Sequence, residues 1–385
     1  MRPLEEREER VVSLDGEEGR LEEKELSLLG DWRWLARMLV IVVVLIGAIY
    51  VLVPKLGGFE DAIGEIGDGS LGWIGVAIGF NVAAFFAYVA LFRGVVGEEL
   101  LHLEWRESYQ ITMAGLAATR LFSAGGAGGI VLTYWALRKA GMDRRESACR
   151  MVAFLVLLYA VYLTTVIVFG VLLAAHALSG KAPIGLTIVP AGIAGVAIGI
   201  VLLISLIPGD LERRIGGLNL EGRLGRLAKR FSTVPATLAS GTRTAMSFVG
   251  HPRRGGLAIA GAAGFWAANI GVLWASFHAY GVMVPLGVVI QGFFLGMAAN
   301  LIPFVPGGVG AVDAGMIGAF VLFGLPKTEV FAAVFAYRAI AFWLPIPPGI
   351  VAFFQLRRTV QRWGARGIRP ADTSESKVLG DRIPV

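Results

Sequence analysis

Charge is scarce in this sequence: Asp, Glu, Lys and Arg make up 17% of its 385 residues, where ordinary soluble proteins carry about 25%. Hydrophobic residues fill the deficit at 56%, which points to lipid as the solvent. Cysteine occurs once, at Cys149, so no internal disulfide can form and the residue reads as a small packing side chain. The four histidines, His102, His176, His251 and His278, are dispersed, and no HExxH is found. Paired carboxylates at membrane depth, a nucleophile elbow and a Walker loop are missing too. The chain is therefore not expected to be an enzyme, to bind a metal or cofactor, or to pump with ATP by itself.

Glycine, by contrast, is abundant at 52 residues, which suits close helix packing and irregular backbone inside a membrane. A span needs roughly 20 mostly apolar residues. Six segments qualify: 35–53, 71–92, 151–178, 186–207, 257–280 and 330–354. The first runs on without a small-residue cleavage site, so it reads as a retained span, not a signal peptide. Before it, residues 1–31 hold eleven Asp or Glu and five Lys or Arg, the composition of a solvated tail. Two further apolar regions, 111–137 and 285–325, are broken in the middle by glycine-rich sequence. Limbs of about 12 apolar residues are short for a span, so both regions are expected to be re-entrant hairpins. Two full crossings each would preserve the same parity, and the first limb of the second region is nearly span length.

Lys and Arg collect on the cytoplasmic side of membrane proteins. Residues 210–254 carry nine basic and three acidic side chains, and 357–385 carry seven and three. Six crossings with both termini in the cytoplasm satisfy this distribution, in the inner membrane of the cell. The formal net charge of +6 has the same origin and implies no nucleic acid. The expected organisation is an acidic, disordered tail at 1–33, a first membrane half at 34–208 with hairpin 111–137, and a basic connection at 209–254. A second membrane half follows at 255–356 with hairpin 285–325, then a basic tail at 357–385. Within the connection, Leu220, Leu224, Leu227, Phe231, Val234 and Leu238 form one stripe, with Arg223, Arg226, Lys229 and Arg230 off it. Such a helix lies at the headgroups or packs on the bundle.

AGGAGG at 124–129 aligns with PGGVGA at 306–311, and the same register pairs Gly141-Met142 with Gly324-Leu325 and Gly79-Phe80 with Gly264-Phe265. An offset of about 180 residues between halves of like composition, entered from opposite sides, is an inverted-topology repeat. The fold class expected is all-α: an integral membrane protein of about six helices plus two broken hairpins.

Non-helical backbone survives at membrane depth only where protein or a wet cavity satisfies it. The breaks VPGGVGAVDAG and RLFSAGGAGG thus mark a cavity, and the helix N-termini behind their glycines suit an anion. Arg120, just before the first break, and Arg338, in the last span, are costly in lipid and suit a phosphate diester through their two-pronged guanidinium. Snorkelling to the interface is the alternative. Asp313, after the second break, has three competing roles: partner of Arg338 or Arg120, receptor for an ammonium headgroup, or proton carrier. Asn81, Asn269, Asn300, Gln291, His278, Tyr134 and Tyr337 read mostly as interhelical hydrogen bonds. GVAIG, at 75–79 and 195–199, reads as a helix-packing surface.

The stretches RLFSAGGAGGIVLTYWALRKAGM, NLIPFVPGGVGAVDAGMIGAF and AYRAIAFWLPIPPGIVAFF resemble the motifs of the lysylphosphatidylglycerol synthase transmembrane region family, which includes YbhN-like and UPF0104-type membrane proteins. The resemblance extends over most of 34–358. It implies the flippase-like membrane part alone, without the soluble aminoacyl-transfer domain. Arg120, Gly125, Gly126, Pro306, Gly307, Gly308, Gly310 and Arg338 match motif positions, while Asp313 stands where the family more usually has Glu. With Gly128 from the same glycine run, these form the candidate substrate-binding set. The implied function is movement of an anionic or aminoacylated phospholipid, or a lipid-linked headgroup, between leaflets. A secondary transporter of a small soluble anion and a noncatalytic scaffold for a separate transferase or glycosyltransferase are the alternatives. Membrane phospholipids are the expected partners, with that transferase and a second copy of the chain, through small-residue helix faces, as further candidates.

Overall fold

A computed structural model describes residues 69–97, 103–121, 127–206, 223–301 and 308–365. In chain order the helices are α1 (Leu71–Val96), α2 (Trp105–Leu121), α3 (Ala127–Lys139), α4 (Arg144–Ala174), α5 (Ile188–Ser205), α6 (Arg223–Gly250), α7 (Pro252–Ala279), α8 (Leu286–Ala298), α9 (Ala311–Leu322), α10 (Lys327–Arg338) and α11 (Ile346–Ala365). No strand occurs among the described residues. Local chemistry sets several boundaries. The Asp143 carboxylate accepts from the Arg145 N–H at the start of α4, and Pro252 opens α7, where its missing N–H is not needed.

Five stretches are long and apolar enough to cross a membrane: Leu71–Val96, Arg144–Ala174, Ile184–Ser205, Gly255–Ala279 and Lys327–Trp363. They correspond to five of the six expected spans; the sixth, 35–53, and the N-terminal tail lie outside the described residues, whereas the basic tail expected from 357 begins as helix, since α11 continues to Ala365. The Ile184–Ser205 stretch is the least buried, at 17%, and the Gly255–Ala279 stretch the most, at 50%, so α5 is peripheral and α7 central. Ile193, Val196 and Leu203 on α5 are each about two-thirds exposed, as a lipid-facing surface requires.

The broken regions are pairs of short helices. At 1.5 Å per residue, α3, α8 and α9 are each about 18 to 20 Å long and α2 about 25 Å, all less than a hydrocarbon core of about 30 Å. The first limb of the second region, close to span length in sequence, ends as a helix of 13 residues at Ala298. Each pair folds back on itself. Gly129 sits against Gly115 and Thr119, close enough that any Cβ would collide with the Gly115 carbonyl, and Gly296 and Gly292 similarly meet Met316 and Phe320.

Contacts between α1 and α7 run antiparallel along their whole length. Gly94 abuts Ala258, Gly261 abuts Leu91, Gly271 faces Phe80, and the Ser70 N–H donates to the Ala279 carbonyl at 2.9 Å. These two helices hold equivalent places in the halves, so their opposition is the inversion that the sequence register predicts. The same register gives matching ends. Gly141 and Gly324, at φ 100° and 93°, close α3 and α9, and behind them Met142 and Leu325 donate to Leu137 and Phe320, each at 3.1 Å. The halves also trade hairpins. Limb α2 packs on α11 through Thr359 to Gln110 (2.9 Å) and Trp363 to Glu107 (3.0 Å), and limb α8 packs on α4 through Tyr162 to the Phe294 carbonyl (2.5 Å).

Some expectations need correction. Among the described residues a Cβ at Gly75, Gly79, Gly195 or Gly199 would meet nothing within 4 Å, so the glycine face of each GVAIG stretch packs against no described residue, while Ala77 in the first stretch is buried in the core. Two of the seven polar residues bond their own helix instead of a neighbour: Asn269 donates to Phe265, and the His278 ring faces the Trp274 carbonyl. Asn81 and Gln291 do reach across, to Ile340 and Leu186. The connection is helical from Arg223, and its second part packs on α4, with Gly241 against Val152 and Ser240 against Cys149 (3.0 Å).

Candidate functional site

Between α10 and α11 the helix widens into one π-turn, Ala339–Trp343, in which the Leu344 N–H donates to the Ala339 carbonyl. A wider turn leaves carbonyls without the usual fourth-residue donor, and buried carbonyls need one. Two side chains from the first half supply it. Asn81 Nδ2 donates to Ile340 at 3.1 Å and Arg120 Nη2 to Ala341 at 2.8 Å. In the equivalent place of the other half, Trp266 Nε1 donates to the Leu158 carbonyl at 2.8 Å, and α4 there stays α-helical.

Arg120 therefore does not snorkel. It lies roughly 22 Å along α2 from Trp105, and Arg338 roughly 16 Å along α10 from Lys327, so both sit far from the end at which their helix begins. The two guanidinium groups lie over one ring, that of Phe342, with their carbons 5.6 and 4.4 Å from its centroid. Arg338 is 4% exposed, and its Nε stands 2.8 Å from Asp313 Oδ1. The other carboxylate oxygen, Oδ2, accepts the Gly310 N–H at 2.7 Å and so caps α9. Gly310 takes φ 81°, a conformation that suits glycine. Of the three roles open to Asp313, the geometry assigns the first, partner of Arg338. It also means that the N-terminus of α9 already holds an anion of its own.

A cavity of about 320 Å³ opens beside these groups. It is lined by Arg120, Arg338 and Phe342, by Tyr88 and Tyr337, and by Thr119, Asn269 and Trp266 among others. Tyr159, in the middle of α4 and 40% exposed, and Asn300, also exposed, are part of its wall, so the cavity is not sealed. Among the described lining residues there is no carboxylate. Arg338 is neutralised by Asp313, whereas Arg120 Nη1 is buried without a hydrogen-bond partner among the described residues. One positive charge is left over where an unpaired charge is costly.

Of the predicted site residues, Arg120, Arg338, Asp313 and Gly310 come together. Gly308, at φ 65°, packs beside Asn300 and Val312, which line the cavity. Gly128 lies in the first turn of α3, and its neighbour Gly129 lines the cavity. Gly125, Gly126, Pro306 and Gly307 lie outside the described residues. Sequence reading missed Tyr88, Tyr159, Trp266 and Phe342; for Phe342 a signal existed, four residues after Arg338 on one helix face. No cluster able to hold a metal occurs among the described residues.

The sequence model of the lysylphosphatidylglycerol synthase TM region family matches residues 34–349, from before α1 into α11 and across both hairpins. The chain belongs to that family. Two UPF0104 membrane proteins of Methanothermobacter thermautotrophicus align with parts of it. One is 33% identical over 87 residues, 23% of this chain and 26% of the relative, and the other is 32% identical over 79 residues, 20% and 24%. Each alignment spans about a quarter of the relative's length. The protein is thus a multi-pass, all-α member of the lysylphosphatidylglycerol synthase TM region family, and the cavity lies within the region that defines it.

Proposed function

We propose that this member of the family moves a phospholipid or lipid-linked molecule with an anionic headgroup between leaflets, as a flippase and not an enzyme. The headgroup enters the cavity and meets Arg120 while its tails stay in lipid. The observation that carries this reading is Arg120: a guanidinium whose buried Nη1 has no hydrogen-bond partner among the described residues, in a cavity whose described lining holds no carboxylate, is a site short of one negative charge. Gly128 and the N-terminus of α3, which follow the first break, add donors on the same side. Asp313 holds Arg338 in place and takes no direct part.

A soluble anion could answer the same charge. The half-exposed Tyr159, in the middle of an apolar span, favours a lipid, because an opening at that depth faces hydrocarbon. For orientation, the ends carrying Arg138, Lys139, Arg144 and Arg145, and Arg357, Arg358 and Arg362, support a cytoplasmic side in the inner membrane, with both termini there.

The test is reconstitution into vesicles with leaflet-resolved detection of labelled phospholipids. The wild type is expected to speed exchange and Arg120→Ala to fall to the protein-free rate, while Asp313→Asn loses activity only as far as it loses fold. Movement at the protein-free rate in all three refutes flipping of the lipids tested. Activity unchanged by Arg120→Ala removes the cavity from the mechanism.

A further inference from the structure

Pro345 is buried outside the cavity lining, yet it governs what Arg120 can hold. We infer that Pro345 is a positioning residue for Arg120: by withholding one backbone N–H it turns the Ala341 carbonyl into an acceptor for the guanidinium, which fixes that side chain without cancelling its charge. This rests on the transport role proposed for Arg120.

The donor accounting is local. In an α-helix the carbonyl of residue 341 takes its proton from residue 345, and in a π-turn the carbonyl of residue 340 does so. Residue 345 is proline, which has no N–H and whose ring clashes with the carbonyl four residues back. The Leu344 N–H, the α-helical donor for Ile340, is spent on Ala339 at 3.1 Å. Pro345 therefore withholds a proton from Ile340 and Ala341 alike. These are the two carbonyls that Asn81 (3.1 Å) and Arg120 (2.8 Å) reach from α1 and α2. Buried carbonyls are seldom left unpaired, so both contacts have a cause in the sequence.

The kind of acceptor matters as much as its place. A carboxylate would hold Arg120 as firmly but would neutralise it, as Asp313 does Arg338. A carbonyl leaves the charge whole. With Nη2 on Ala341 and the guanidinium carbon 5.6 Å from the centroid of the Phe342 ring, the group is fixed, and Nη1 is left for an anion. The other half has neither device. Its counterpart helix α4 contains no proline and stays α-helical. Gly115 and Gly296, each packed against the other limb of its hairpin, align α2 with α8 and set Leu301 opposite Arg120. Trp266 does reach a carbonyl of α4, but an indole brings no charge. Proline and arginine thus occur together in one half and are missing together from the other.

Thermal unfolding of the full chain in detergent tests the link apart from transport. Arg120→Ala strands the Ala341 carbonyl in the wild type, whereas in Pro345→Ala the restored N–H satisfies it. Arg120→Ala is therefore expected to lower the unfolding temperature by about 1 to 3 °C more in the wild type than in Pro345→Ala. Pro347→Ala, which returns a donor to Trp343 instead, is expected to leave the effect of Arg120→Ala as it is in the wild type. An equal effect with and without Pro345 overturns the inference. Pro345→Ala and Pro345→Ser chains that both fail to fold overturn it too, since the fold itself then needs the proline. In vesicles holding labelled phosphatidylglycerol, Pro345→Ala is expected to slow exchange about three- to tenfold, the cost of fixing one long side chain anew at each binding event, with an unfolding temperature no lower than the wild type's. Exchange at the wild-type rate in that variant refutes the positioning role but not the transport. The temperature difference in a protein that moves no lipid sustains the link between Pro345 and Arg120 and refutes the transport.

Discussion

The Asp313–Arg338 pair can be weighed by removing its charges one at a time. The side chains are 16% and 5% exposed and the contact is 2.8 Å, so the pair is largely, not wholly, desolvated. Removing one partner of a buried pair costs about 3 to 5 kcal/mol, mostly as the penalty on the charge left behind. Asp313→Asn keeps an oxygen for the Gly310 N–H, so its cost is that of stranding Arg338, set at about 3 kcal/mol by the partial exposure of Asp313. Asp313→Ala also loses the cap and is expected to cost about 1 kcal/mol more. Arg338→Gln strands a carboxylate that keeps its Gly310 bond and can take up a proton, so about 2 kcal/mol is expected. The double variant strands nothing and should cost about 3 kcal/mol against a sum near 5, a coupling of about 2 kcal/mol. Equilibrium unfolding in mixed micelles measures all four species. A coupling under about 0.5 kcal/mol would refute the assignment of Asp313 to Arg338 and reopen its other roles.

Further outcomes follow from the packing and the topology. Gly129→Ala forces a methyl group against the Gly115 carbonyl and should destabilise by about 1 to 3 kcal/mol in the same unfolding assay. Gly79→Ala and Gly199→Ala meet open space, so each should be neutral or stabilise by up to about 1 kcal/mol; a loss of more than that would mean that something packs there. In a Cys149→Ser background, cysteines placed at Lys181 and Arg144 should react with an impermeant thiol reagent from opposite sides of the membrane. Labelling from one side only would overturn the orientation.

Much of the fold was legible because lipid imposes a length: an apolar run either spans or it does not, and five of the six runs lie where the described helices are. The inversion was legible because glycine caps such as Gly141 and Gly324 occupy one special backbone region and cannot drift. Packing was less so. GVAIG looks the same to a reader whether a helix or lipid stands opposite, since a missing side chain does not record what fills its space. The site shows the same division. Arg120 and Arg338 were conspicuous because charge is rare at depth, but which of the two would pair with Asp313 depended on distances that no linear spacing contains. Tyr88 and Trp266 reach the cavity from α1 and α7 only through tertiary packing.

The π-turn has an effect on the helix that follows it. Each α-helical residue advances the face by about 100°, so one surplus residue rotates everything downstream by that angle. Gly349, Thr359 and Trp363 meet α2 only in this rotated phase. Deleting a single residue from 339–343 would leave the composition of α11 untouched and swing that seam a quarter-turn toward the lipid. The surplus residue thus acts as a phase-setter, joining the carbonyl that Arg120 holds to the docking of the first hairpin on the last span.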